Sequence, residues 1–428
     1  MRAKNRASLS GRWVTAVAAL VLLAAELRAS DLPPWRDTDD LPLPEGRSIL
    51  IQRPDVVILA EPAATAPRRG TALMGAKLPF FGAKRGDGCA ARYLSVGPQA
   101  WICQDAAVLD GGPPIPPRSS VESDASTGLP FTYYFVGRNG SNGYFRLGDA
   151  EDVAPDQELQ PGFAVATTEQ GVKLGARYAR THHGMWVPLR DLVPVNPFAF
   201  HGEEISEGKL DFGWVIEDKA PILSAPSAGA RPTKGANRTK FEKVSILEEK
   251  LDKKAGYYRI GEGEWLRAKD VRRPALSPPP SSLRPNERWI DVDLASQTLT
   301  ALEGDRPVFV TLVSTGKGKE GSDTVTPKGE FRIWVKLITS NMSNLEDEEA
   351  RRYYAIEDVP YVQYFSKGVG LHGAFWHRGF GKVRSHGCVN LAPLDAQRVF
   401  AFTSPHLPAG WTAALPTSSE EGTFVRVR

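Results

Sequence analysis

Apolar positions along this chain come in short runs that alternate with polar ones more often than they recur at helical spacing. Ile290, Val292 and Leu294 share one face, a turn follows, and Leu299 and Leu302 begin a return. That is a hairpin, and Val308 to Val313 reads as the next strand. Thr326-Pro327-Lys328-Gly329-Glu330-Phe331 turns into another strand, and the final GTFVRVR reads as a closing one. Pro360-Tyr361-Val362-Gln363-Tyr364-Phe365 leads into a strand in which Val369 and Leu371 take one face and Gly370 and His372 the other. Only two stretches read as helix. Pro393 opens LAPLDAQRVFAF at a first turn. In NLEDEEARRYYAI (344–356), acidic residues precede arginines, which predicts a helical insertion between strands, either a lid over a cleft or an ordinary surface helix.

Upstream the chain repeats itself. Tyr93, Tyr178 and Tyr257 are each followed eight residues later by Trp101, Trp186 and Trp265, at intervals of 85 and 79 residues. An apolar residue follows each tryptophan (Ile102, Val187, Leu266), then an acidic residue and a closing apolar one: Asp105 and Val108, Asp191 and Leu192, Asp270 and Val271. Two strands around a turn with an aromatic plug fit a small β-barrel, and the three tryptophans read as core. The expected modules are 55–112, 128–195 and 212–273. Within the third, 224–241 is small, polar and basic, as a mobile loop would be. His182-His183 has no third ligand nearby in the chain and reads as an exposed turn. PALSPPPSSLRPNE (274–287) is a semi-rigid proline-rich linker, and the last domain runs from 288 to 428.

The N-terminus changes the meaning of the net charge. Arg2, Lys4, Arg6 and Arg12 precede the apolar WVTAVAALVLLAA, and Leu27-Arg28-Ala29 offers a cleavage site, so 1–29 reads as a signal peptide cleaved near Ala29. No cysteine follows the apolar core, which disfavours a lipid-anchored form. The proline-rich, charged 30–54 reads as a flexible leader. The formal charge is +3, and 1–29 holds five basic residues and one acidic, so the mature chain is near −1. Nothing there favours nucleic acid as a partner. An exported protein of the periplasm or cell envelope is expected, and in that setting Cys89 and Cys103 pair as a disulfide, worth about 3 kcal/mol by loop entropy. Cys388 is then the unpaired third cysteine.

The candidate chemistry gathers between 369 and 391, VGLHGAFWHRGFGKVRSHGCVNL, with three of the seven histidines. A free thiol has a pKa near ~8.5, so a nucleophilic cysteine needs help. An imidazole that takes the proton and the positive end of the following helix are both in reach. Gly373 and Gly387 let backbone approach a substrate, and N–H groups around Gly387 and Cys388 suit an oxyanion hole. Together they make a thiol acyl-transfer site from one strand end and one loop. A zinc site from His372, His386 and Cys388 lacks the paired close spacings of zinc ligands. Histidine precedes cysteine by sixteen residues, the reverse of papain-like order. No metal or organic cofactor is implied.

His372-Gly373 followed by Ser385-His386-Gly387-Cys388-Val389-Asn390 resembles the signature of the L,D-transpeptidases with a YkuD-type catalytic domain. The Trp376-His377 and Phe380-Gly381 filling and the Thr-Pro-x-Gly-x-Phe element at 326–331 are similar to the same family. The resemblance implies a mostly β protein, with a β-sandwich catalytic domain at 288–428. It makes Cys388 the nucleophile, His372 its general base, and His386 and Gly387 the lining of the oxyanion pocket, with Ser385 and Asn390 supporting the loop. Tyr361, Tyr364, Trp376 and His377 are candidate substrate contacts. The implied partners are peptidoglycan stem peptides, with carbapenem-type β-lactams as covalent inhibitors. The same site with water as acceptor would make an L,D-carboxypeptidase or hydrolase; a decayed site would leave a non-catalytic wall-binding protein. The upstream repeat resembles bacterial Src-homology-3-like modules, most closely in its third copy.

Overall fold

The computed structural model describes residues 48–114, 124–196, 200–251, 255–318, 322, 324–345 and 354–428. The expected signal peptide, most of the leader and the centre of the 344–356 insertion lie outside them. The chain divides into two compact units, 1–116 and 117–428. Among the described residues it is mostly β, with one α-helix, Pro393–Phe402, and no helix long and apolar enough to cross a membrane.

The tyrosine–tryptophan repeat folds the same way three times. Tyr93 pairs with Cys103 and Ser95 with Trp101; Tyr178 pairs with Pro188 and Arg180 with Trp186; Tyr257 pairs with Arg267 and Arg259 with Trp265. The register is identical in all three antiparallel hairpins. After each tryptophan strand the chain makes a single 3₁₀ turn holding the acidic residue of the pattern: Gln104–Ala106, Leu189–Asp191 and Ala268–Asp270. It then pairs with a strand from the start of its own module. Ala107–Asp110 lies on Ser48–Ile51, Leu192–Pro194 on Thr132–Val136, and Val271–Arg272 on Phe212–Val215. Trp101 and Trp265 are buried, while Trp186 is half-buried against Tyr144 and Tyr178.

Three boundaries differ from the sequence reading. Ser48–Ile51 is a buried strand of the first module, not the end of a flexible leader, because its apolar SILI pairs on both sides. Within the polar 224–241 segment, Pro232–Arg238 is an edge strand on Ala220–Leu223. An edge strand with both faces wet has no apolar position to announce it. Ala355 and Ile356, assigned to the helical insertion, open the long strand Ala355–Ser366.

The last domain is layered. One sheet places Thr298–Glu303 between Arg288–Asp293 and Arg306–Leu312, with Phe424–Val427 parallel to Arg288–Asp293 and Gly329–Arg332 beyond it. Glu203–Glu204, from far upstream, pairs with Val310 and Phe309 at the opposite edge. A second sheet pairs Ala355–Ser366 with Val335–Ser343 and with Val369–Gly373, which is in turn parallel to Val389–Leu391. Ile290, Val292, Leu299, Phe309, Leu371, Val389 and the helix residues Val399 and Phe400 fill one core between them. The helix is anchored at both ends. Asp395, fully buried in its first turn, accepts from Gly202 N–H at 2.9 Å, from the His201 ring at 2.8 Å and from the Thr311 hydroxyl. At the other end Lys336 Nζ donates to the carbonyls of Phe400 and Thr403 at 2.6 and 2.8 Å, capping orphan acceptors. The linker lies along this domain: Arg426 donates to Pro278 O and Arg428 to Ala275 O.

Candidate active site

Parallel pairing brings the two halves of the motif together. Leu371 faces Val389, and His372 faces Asn390, so Cys388 enters the sheet beside the strand that carries the histidine. Alternation holds along that strand: Leu371 is in the main core, while the His372 ring stacks on Trp376, centroids 5.7 Å apart. His372 is 2% exposed, and burial lowers its pKa to about 4, so the ring is neutral at neutral pH. Its Nδ1 lies 3.1 Å from the carbonyl of Gly373. A carbonyl only accepts, so Nδ1 carries the proton and Nε2 keeps a lone pair. That is the tautomer a base needs.

Cys388 is half-buried and is the one free cysteine of the chain. Burial pushes its thiol above the ordinary range, partly offset by a hydrogen bond from the Gly370 backbone. Its Sγ also points at Gly368 O, 3.7 Å away. The resting site therefore holds a neutral thiol and a neutral imidazole rather than an ion pair. Two tyrosines surround the sulfur closely enough for a thiolate to raise their pKa values further, beyond the rise burial causes: Tyr364 and Tyr354. Tyr364 stacks on Trp334, and Tyr354 stacks on the exposed ring of His386. Tyr354 was missed in the sequence because it sits in a stretch whose charge pattern points to helix.

The loop before Cys388 is held from beneath. Ser385 Oγ donates to Cys388 O and accepts from Gly387 N–H at 3.1 Å. The Gly387 amide is thus bonded within the loop, which corrects its expected place in the oxyanion hole. Gly387 has φ of +126°, a conformation that favours glycine. Its carbonyl accepts from Thr326 Oγ1 at 2.6 Å, and the same hydroxyl accepts from Gly316 N–H at 2.9 Å. A Cβ on Gly316 would stand 2.4 Å from Thr324 O and 2.9 Å from Gly387 Cα, so only glycine fits there. Thr326 is the first residue of the Thr-Pro-x-Gly-x-Phe element, and this bond is the physical content of that motif.

Two candidate substrate contacts are corrected. Tyr361 is 3% exposed and packs on Phe400 in the core, with φ of +59° turning it away from the alternation of its strand. His377 is buried, and burial with the nearby Arg384 lowers its pKa to about 3. Its Nδ1 accepts from Gly379 N–H, so Nε2 carries the proton and meets the side-chain amide of Asn390 at 2.9 Å. The partner atom there must be the amide oxygen, the acceptor a protonated Nε2 requires. His377 and Asn390 together brace the loop between histidine and cysteine. Trp376 is half-buried against His372, and the Gly373 backbone carbonyl fixes that ring. In the first unit, Cys89 and Cys103 are disulfide-bonded, with Cα atoms 5.6 Å apart.

The helix does not begin at the cysteine. Val389–Leu391 intervenes, and the first turn belongs to Pro393 and the buried Asp395. A carboxylate already occupies the positive end, so the helix is not available to lower the thiol pKa as the sequence suggested.

Comparison with known proteins gives this geometry a context. Residues 287–427 match the family model for YkuD, the L,D-transpeptidase catalytic domain. No curated protein gave a significant match. Among solved structures the chain is similar to an Enterococcus faecium L,D-transpeptidase mutant (23% identity over 33% of this chain and 50% of that one, TM-score 0.26). It is also similar to an L,D-transpeptidase from Stackebrandtia nassauensis (27% identity, 36% of this chain and 58% of that one, TM-score 0.24). A third is L,D-transpeptidase 3 from Mycobacterium tuberculosis in complex with a faropenem-derived adduct (18%, 39% and 72%, TM-score 0.26). The chain spans about half the length of the first solved structures it matches.

Proposed function

We propose that the chain is an exported L,D-transpeptidase that cross-links peptidoglycan stem peptides through a thioester on Cys388. The observation that carries the proposal is the parallel ladder that sets the strand of His372, a neutral imidazole, beside the strand that the half-buried Cys388 leads into, inside the region that matches the L,D-transpeptidase catalytic domain. The donor is a tetrapeptide stem. As sulfur attacks the carbonyl of the L-centre of its third residue, the thiol proton passes to His372 Nε2 and a C–S bond forms. The tetrahedral intermediate collapses by breaking the C–N bond to the terminal D-alanine, which leaves with that proton. An amine of a neighbouring stem then attacks the thioester, His372 accepts its proton, and the thiol is restored. Cys388 N–H is the loop donor assigned to the developing oxyanion, with His386 and Tyr354 forming one wall and Tyr364 another.

In this reading the protein is exported to the envelope, supported by the basic-then-apolar pattern of 1–29 and the Cys89–Cys103 disulfide, and carbapenem-type β-lactams should acylate the same sulfur. The three modules are Src-homology-3-like barrels in this reading, supported by the common hairpin register and by the returning strand in each. Products decide the acceptor. Incubated with a disaccharide-tetrapeptide and excess amine, the mature protein should release D-alanine and give a cross-linked dimer. Tripeptide as the only product would make it a hydrolase, and no product at all would contradict an enzyme.

A further inference from the structure

His182 and His183 are an exposed pair in the chain, but the fold gives them a third partner 176 residues away from His182. They sit in the turn between the strands Ala176–Thr181 and Trp186–Pro188 of the second module. Asp358, on the long strand Ala355–Ser366 that leads toward His372, comes up beneath them. His182 Nδ1 lies 3.1 Å and His183 Nε2 3.2 Å from the same oxygen, Asp358 Oδ2. The two neighbours converge through different ring nitrogens, the near one of His182 and the far one of His183. We infer that His182, His183 and Asp358 form a binding site for a divalent transition metal of the zinc class, which clips the second module to the catalytic domain.

Geometry and chemistry both favour the ion. The three donor atoms lie within 4.8 Å of one another. A tetrahedral ion with bonds of about 2.0–2.1 Å holds its ligands roughly 3.3 Å apart, close to the two observed N···O separations. Two imidazoles and one carboxylate suit zinc, copper or nickel and not calcium or magnesium, which take oxygen. The donors are also held in place by the groups behind them. Asp358 Oδ1 accepts from Thr339 Oγ1 at 2.9 Å, and its backbone N–H donates to Asn341 Oδ1 at 2.9 Å. Asn341 also hydrogen-bonds the His183 side chain, and Phe131 lies on the His182 ring at 4.5 Å. An outer shell that orients each ligand is what metal sites require. A simple salt bridge would also join the two parts, but it needs neither the convergence on one oxygen nor the fixed rings. Asp358 is 95% covered, whereas both rings are open on one side, which leaves an entry path and room for water as the fourth ligand.

The test uses the full chain carrying Cys388→Ala, so that the thiol does not compete for metal. Zinc binding is followed by titration calorimetry, metal content after gel filtration, and thermal unfolding. One zinc per chain is expected, with a raised unfolding midpoint and no response to calcium or magnesium. His182→Gln with His183→Gln should weaken binding at least tenfold and abolish the zinc-induced shift, without altering the far-UV circular dichroism. Asp358→Asn should weaken binding alone. Cobalt should report the site independently through absorption bands that the double glutamine variant lacks. Zinc binding unchanged in the double variant, no zinc binding by the parent, or equal binding of calcium would each overturn the assignment. None of these outcomes bears on the acylation of Cys388.

Discussion

At the scale of single residues, the chemistry turns on where two protons rest. His372 is neutral above about pH 4 because it is buried, and the thiol of Cys388 is held above its ordinary pKa for the same reason. Deprotonation must therefore accompany attack, not precede it. The sign of the pH dependence follows: the thiolate fraction rises with pH until the raised thiol pKa is passed, and His372 contributes no change once the pH is above its own. Alkylation of Cys388 by iodoacetamide should climb about tenfold per pH unit from about pH 6 to 8.5, without a plateau. A plateau already reached near pH 6 would reveal a stable thiolate–imidazolium pair and contradict this reading. The Ser-His-Gly-Cys run and the His-Gly pair already singled out the two segments that the fold sets side by side. The protonation of the two residues was not legible, because it depends on burial among Leu371, Trp376 and Gly373 from elements that only the fold brings together.

At the scale of elements, the loop 384–388 keeps its shape through Thr326, whose hydroxyl joins Gly387 O to Gly316 N–H. Thr326→Val keeps the volume but leaves both backbone groups buried without that partner, a cost of about 1–3 kcal/mol. If the cost falls on the loop geometry, acylation by a β-lactam should slow by about ten- to a hundredfold, with a smaller change in the unfolding midpoint. A lower midpoint with unchanged acylation would make the threonine a scaffold residue only. Hairpins with strict alternation, such as 288–303, could be read directly from the chain, as could the repeated Tyr-to-Trp spacing that became one register three times over. Glu203–Glu204 could not. Two charged residues carry no periodicity, and their strand exists because the edge at Phe309 and Val310 is open and Asp395 holds Gly202 and His201 beside it. Pro232–Arg238 escaped for the same reason: its partners are backbone atoms, and backbone pairing leaves no trace in side-chain pattern.

At the scale of the molecule, contacts between distant parts of the chain were the least legible. Tyr133 OH donates to Asp358 O at 2.6 Å, and Ala166 N–H to Glu357 Oε2 at 3.1 Å, so the second module rests on the strand that continues toward His372. Nothing local to either segment announces the other, and the histidine pair looked idle until Asp358 came beneath it. The family match, by contrast, falls on the segment where local motif and long-range register agree, 287–427. The central claim is that Cys388 is the acylated residue. Intact-mass spectrometry of the mature protein with a carbapenem, followed by peptide mapping, tests it most directly. One covalent adduct per chain, located on Cys388 and absent from Cys388→Ala, is the predicted result; an adduct elsewhere, or none on a correctly folded chain, would contradict it.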